Sequence, residues 1–158
     1  MVLRKSIFIA LWFLITIIAW LALEKLLGFH DVYIQYHQYF TNLVMIPYLY
    51  IFNRGLKSFR LASGGTVSYL NSFGFGLICT VFIALFSPLA LWVFETILNP
   101  NFYQSMIHYS VSHKMQTQAQ ANAYFNHDNY RNLMIYGNIA QGVILSAIIA
   151  IFSSRKKI

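Results

Sequence analysis

The residues able to do chemistry are few. Its four acids are Glu24, Asp31, Glu95 and Asp128, and its five histidines are His30, His37, His108, His113 and His127. Carboxylates and imidazoles are common zinc ligands and common proton carriers at membrane depth. Their spacing alone specifies no site. His108 and His113 are five apart, whereas a zinc-binding helix places two histidines four apart with a glutamate between them. The histidines are therefore expected to be interfacial and solvated, with no metal ligand assigned. Glu95 differs, being the one acid within an apolar helical stretch, two turns beyond Pro88. It is the intramembrane acid candidate, either paired with an outer cation such as Lys114 or Arg131 or turned into interfacial water. Ser110, Ser112 and His113 are neighbours in sequence, but adjacency supplies no nucleophile–base geometry. GxSxG, Walker, HExxH and paired CxxC motifs are all missing, so no enzyme activity and no cofactor are expected. Gly74 and Gly76 form a GxG inside an apolar run, where a phosphate cradle has no place.

The elements that must position these residues are apolar helices. Four stretches without a formal charge, 7–23, 32–53, 61–94 and 132–154, approach or exceed the roughly 20 residues that cross a bilayer. Only 9% of the chain is charged and mean hydropathy is +0.57, which leaves too little polar surface for a soluble domain of 158 residues. Basic residues cluster at Arg4 and Lys5, at Arg54, Lys57 and Arg60, and at Arg155, Lys156 and Lys157. That placement in alternate connections predicts both termini in the cytoplasm and basic loops against anionic head groups. It also accounts for the basic pI of about 9.6 without a nucleic-acid partner. Cys79 is the single cysteine, so it forms no intramolecular disulfide. The first apolar run follows a basic start but ends without a small-x-small cleavage site, and it is expected to be retained as a span.

The fold class expected is an all-α integral membrane bundle, one domain over 1–158, with four spans near 7–27, 39–53, 69–98 and 133–153. Gly28 ends the first span beyond Glu24 and Lys25, and His30, Asp31 and His37 follow among Tyr33, Tyr36 and Tyr39 in an interfacial belt. Pro47 is expected to kink the second span, and residues 53–68 to form a turn. Residues 101–132 are polar and predict an extracytoplasmic helical segment between the third and fourth spans. Ser72, Gly76, Thr80 and Ala84 recur every four residues in the third span, and Gly142, Ser146 and Ala150 in the fourth. Such strips favour close helix packing over a pore, with Leu145 turned towards lipid. The function expected first is a non-enzymatic membrane component packing with itself or with a membrane-protein partner. A small-solute carrier or channel using Glu95 and the outer histidines, and an outer-face metal-binding protein, stay open as alternatives.

The basic loop ending Ser58-Phe59-Arg60, the Gly64-Gly65 pair, the aromatic and glycine-containing start of the third span, and Asn99-Pro100-Asn101-Phe102 at its end resemble domain-of-unknown-function family 4199. The close of the chain, from Gly142 through Ser146 to Arg155-Lys156-Lys157, is similar to that family's last span and basic tail. The resemblance covers nearly the whole chain. It implies one four-span domain in a bacterial cytoplasmic membrane and transfers no catalytic residue.

Overall fold

A computed structural model describes residues 2–153, and those residues contain helices and turns without a strand. The elements are α1 (Val2–Leu26), a 3-10 turn (Ile34–Tyr36), α2 (His37–Asn42), α3 (Met45–Ala62), α4 (Tyr69–Val93), a π-helical turn (Phe94–Leu98), α5 (Phe102–Ser112), α6 (Gln118–Tyr124) and α7 (His127–Ser153). Three stretches, Val2–Leu26, Tyr69–Leu98 and His127–Phe152, are long and apolar enough to cross a membrane. Their outward faces carry exposed Phe8, Leu11, Ile15, Leu85, Ile144 and Ile148. A helix apolar on all sides suits lipid better than water. The basic tail Arg155, Lys156 and Lys157 lies outside the described residues.

α4 is the axis of the bundle, with α7 and α1 packed along it and α3 closing against α1, α4 and α7. One core joins Phe13, Tyr48, Phe52, Leu56, Phe75 and Cys79, and Phe59 stacks on Phe75 at 4.3 Å between centroids. The small residues of α4 and α7 meet face to face within this chain. A Cβ on Gly76 would lie 2.7 Å from Ser146 Cβ, and one on Gly142 would lie 2.8 Å from Thr80 Cβ. Ser72, Thr80, Ala84, Ser146 and Ala150 are buried in the same packing. Leu145 is buried as well, at 4% exposure, which corrects the expectation that it faces lipid; Ile144 beside it is 58% exposed.

The second apolar stretch departs most from expectation. The chain forms α2, turns at Leu43 and Val44, and starts α3 at Met45, so Pro47 is the third residue of a helix. First-turn N–H groups have no helical acceptor in any case, and proline there removes no helical hydrogen bond. α3 then continues through Arg54, Lys57 and Arg60, where a turn was expected. The reversal comes at Gly64 (φ +88°) and Gly65 (φ +87°), with the Gly65 N–H donating to the Arg60 carbonyl at 3.0 Å. Ser68 caps α4 by accepting from the Asn71 N–H at 3.3 Å.

Pro88 sits inside α4 and cannot donate to the Ala84 carbonyl; the Ser87 hydroxyl donates to that carbonyl instead, at 2.9 Å. Nearly two turns further the helix widens, and the Asn99 N–H reaches back five residues to the Phe94 carbonyl at 2.7 Å. π-turns of this kind are frequent at functional sites. Here the widening turns Phe94 inward, against His30.

Candidate functional site

The structure gathers Glu24, His30 and His37 into one buried cluster. Glu24 lies in the last turn of α1. Gly28 adopts φ +80°, a left-handed conformation that suits glycine, and the chain doubles back with the Phe29 N–H on the Glu24 carbonyl at 2.9 Å. This reversal lays His30 over the Glu24 side chain. The 3-10 turn then feeds α2, whose His37 and Thr41 stand one helical turn apart and both face the same carboxylate.

The two carboxylate oxygens have different duties. Oε1 accepts from the Trp20 indole at 2.9 Å and from the Thr41 hydroxyl at 2.6 Å. Oε2 lies 3.1 Å from His30 Nε2 and 3.5 Å from His37 Nε2. Glu24 and His30 are fully buried, and His37 is partly exposed, at 16% of its side chain. Phe94 and Phe102 set their edges against the His30 ring at 5.1 and 5.2 Å, and Trp20 stacks on Phe40 at 5.1 Å. A carboxylate in such a setting is stable only when paired and hydrogen-bonded, and both conditions are met. Outside the aromatic shell, Lys25 bridges Asp31 at 2.8 Å and donates to Asn99 Oδ1 at 3.3 Å. Two buried polar atoms, His30 Nδ1 and Asn99 Nδ2, have no protein partner.

The donor set fits a divalent metal. Each of the three residues offers one ligand atom, all within 4.8 Å of one another. Zinc at ligand distances of about 2.0–2.2 Å in tetrahedral geometry holds its ligand atoms about 3.3 Å apart. The 3.1 and 3.5 Å separations at Oε2 bracket that value. Two imidazoles and a carboxylate are also the three-ligand set that leaves a fourth position open. Trp20 and Thr41 hold the carboxylate from behind, as outer-shell partners of metal ligands do.

Glu95 belongs to a separate group. Its partners are His127 Nδ1, 2.6 Å from Oε1, and the Tyr103 hydroxyl, 3.0 Å from Oε2, in place of Lys114 or Arg131. The contact ties the π-turn to α5 and to the first turn of α7. Burial first, and the Glu95 carboxylate second, push the Tyr103 phenol far above its ordinary range. His108 and His113 are exposed on and just beyond α5, and Ser110 donates to Gln116 rather than to a histidine. By sequence Glu24 and the first two histidines are expected at the interface, with no cluster among them. The cluster's visible signal is an acid and two histidines within fourteen positions of the chain, split by a glycine at the helix end.

No curated protein and no solved structure matches this chain. One family does, the one described as "Protein of unknown function (DUF4199)", over residues 7–155. That match spans nearly the whole sequence, in agreement with the motifs at Ser58-Phe59-Arg60 and Asn99-Pro100, and the chain belongs to the DUF4199 family of proteins of unknown function.

Proposed function

We propose that this chain is a four-span protein of a bacterial cytoplasmic membrane, with both termini inside, that binds a divalent transition-metal ion at Glu24, His30 and His37 on its outer side. The observation that carries the metal reading is the division of labour at Glu24, with Oε1 held by Trp20 and Thr41 and Oε2 left to two imidazole nitrogens at 3.1 and 3.5 Å. The role proposed is binding of the ion by these three residues. Self-association through the small-residue strips loses its support, because the strips of α4 and α7 are consumed against each other.

In this reading α3 is also a span, the second in chain order. Its 18 residues rise about 27 Å, close to the thickness of a hydrocarbon core. Its first half shows Ile46, Leu49 and Tyr50 outward, and its second half ends in basic residues suited to a head-group layer. Lys5 Nζ donates to Ser58 Oγ at 2.7 Å, which sets the basic residues of α1 and α3 at one end, away from Glu24 and Asp31.

Titration of the full chain in detergent with Zn²⁺, against a chromogenic chelator, tests the metal reading. One ion per chain is expected. His37→Asn should weaken binding by more than about a hundredfold, beyond the range typical of an outer-shell change. Failure to bind Zn²⁺, Mn²⁺, Fe²⁺ or Co²⁺ saturably, or Zn²⁺ binding that survives His37→Asn, overturns the proposal.

A further inference from the structure

At the end of the bundle away from Glu24, α1 and α3 border an open groove of about 1110 Å³. The helices touch at its floor, where Gly55 admits Ile9; a Cβ there would lie 2.9 Å from Ile9 Cγ1. Above that contact the walls are apolar, formed by Phe8, Leu11 and Trp12 of α1 and by Tyr50 of α3. These four side chains are 42–65% exposed, a large apolar surface for one cleft. The groove therefore opens sideways between two helices read as membrane spans.

Its mouth is cationic. Arg4, Lys5 and Arg54 line it, and no ion pair holds any of the three among the described residues. Among the described residues Lys5 donates to the neutral Ser58 hydroxyl. The four acidic side chains, Glu24, Asp31, Glu95 and Asp128, pair elsewhere, so among the described residues no acidic side chain neutralises the mouth. An anion there would gain charge-assisted hydrogen bonds, and guanidinium groups match a phosphate better than a point charge does.

An apolar cleft open to lipid and capped by unpaired cations matches one class of molecule in both chemistry and polarity. We infer that the groove seats an acidic phospholipid, its phosphate between Arg4 and Arg54 and an acyl chain along Phe8, Leu11 and Trp12. The site stands at the opposite end of the bundle from Glu24, and its occupancy is independent of metal.

The full chain, purified in mild detergent and exposed to equimolar phosphatidylglycerol and phosphatidylcholine, is examined by native mass spectrometry. One phosphatidylglycerol per chain is expected, favoured about thirtyfold, the factor for two basic residues at a membrane surface. Arg4→Gln with Arg54→Gln should abolish the preference, and Arg54→Lys should keep part of it. Trp12→Ala should weaken retention of both lipids together. Lys57→Gln, which removes a charge at the same end but outside the groove, should change nothing. Equal retention of the two lipids by the native chain overturns the proposal. So does a preference that survives the double substitution, or one that falls as far in Lys57→Gln, which would mark a diffuse attraction to the surface.

Discussion

At the scale of single residues, Thr41 separates a metal centre from a merely buried ion pair. Its hydroxyl donates to Glu24 Oε1 at 2.6 Å and holds the other oxygen towards the imidazoles, while contributing no ligand. Thr41→Val preserves shape and removes that donor. Zn²⁺ affinity should fall about 10- to 100-fold with one-to-one stoichiometry retained, as measured by chelator competition; unchanged affinity would show that the carboxylate needs no support from behind. None of this geometry was legible in the sequence. Periodicity places Glu24 near the end of a span and lets it reach water. Only the left-handed turn at Gly28 folds His30 back over it, and the 3-10 turn then brings His37 alongside. The ligands come from a helix end, a loop and a second helix, so no single helical spacing connects them. Glu95 was legible as an unusual acid, but its partners His127 and Tyr103 come from elements that pack at the same end without any local pattern.

Helices and their strips were more legible, because an apolar run and a four-residue repeat are local properties. The spacing of Ser72, Gly76, Thr80 and Ala84, and of Gly142, Ser146 and Ala150, marks two faces where backbones approach. What the spacing leaves open is the partner, and the structure supplies it as the opposing strip. Gly142→Leu and Gly76→Leu would drive a side chain into Thr80 and Ser146 respectively. Each should lower stability by about 1–3 kcal/mol, the usual cost of overpacking. Ile144→Ala, on the adjacent exposed face, should cost much less, since lipid is as apolar as the side chain removed. Thermal unfolding in detergent ranks the three. Equal midpoints would mean that α4 and α7 do not pack in this register. The boundaries of α3 were misread for a different reason. Proline and basic residues read as a kink and a loop, yet Pro47 falls in a first turn and Arg54, Lys57 and Arg60 project from a helix that α1, α4 and α7 support. First-turn geometry accommodates the proline, and tertiary packing overrides the loop signal of the basic residues.

For the molecule as a whole, charge asymmetry is the feature that sequence and structure share. Basic residues of α1 and α3 collect at one end, joined by the Lys5–Ser58 hydrogen bond, while Glu24, Asp31 and Glu95 collect at the other, where Lys25 reaches Asn99. Membrane insertion retains positive charge on the cytoplasmic side, so the Arg4–Arg54 end should face inward and the histidine end outward. Two elements then report orientation independently: α3, through exposed Ser58, and α6, through exposed Gln118. The native Cys79 is 1% exposed within α4 and should give little background with a polar maleimide. In intact cells Gln118→Cys should therefore be labelled and Ser58→Cys protected until the membrane is opened. Labelling of both positions from outside would leave an even number of crossings between them, contradicting the four-span reading in which one crossing by α4 separates the two ends. The reverse pattern, with Ser58→Cys labelled and Gln118→Cys protected, would keep the crossings and invert the protein, placing the Glu24 cluster in the cytoplasm and the groove in the outer leaflet.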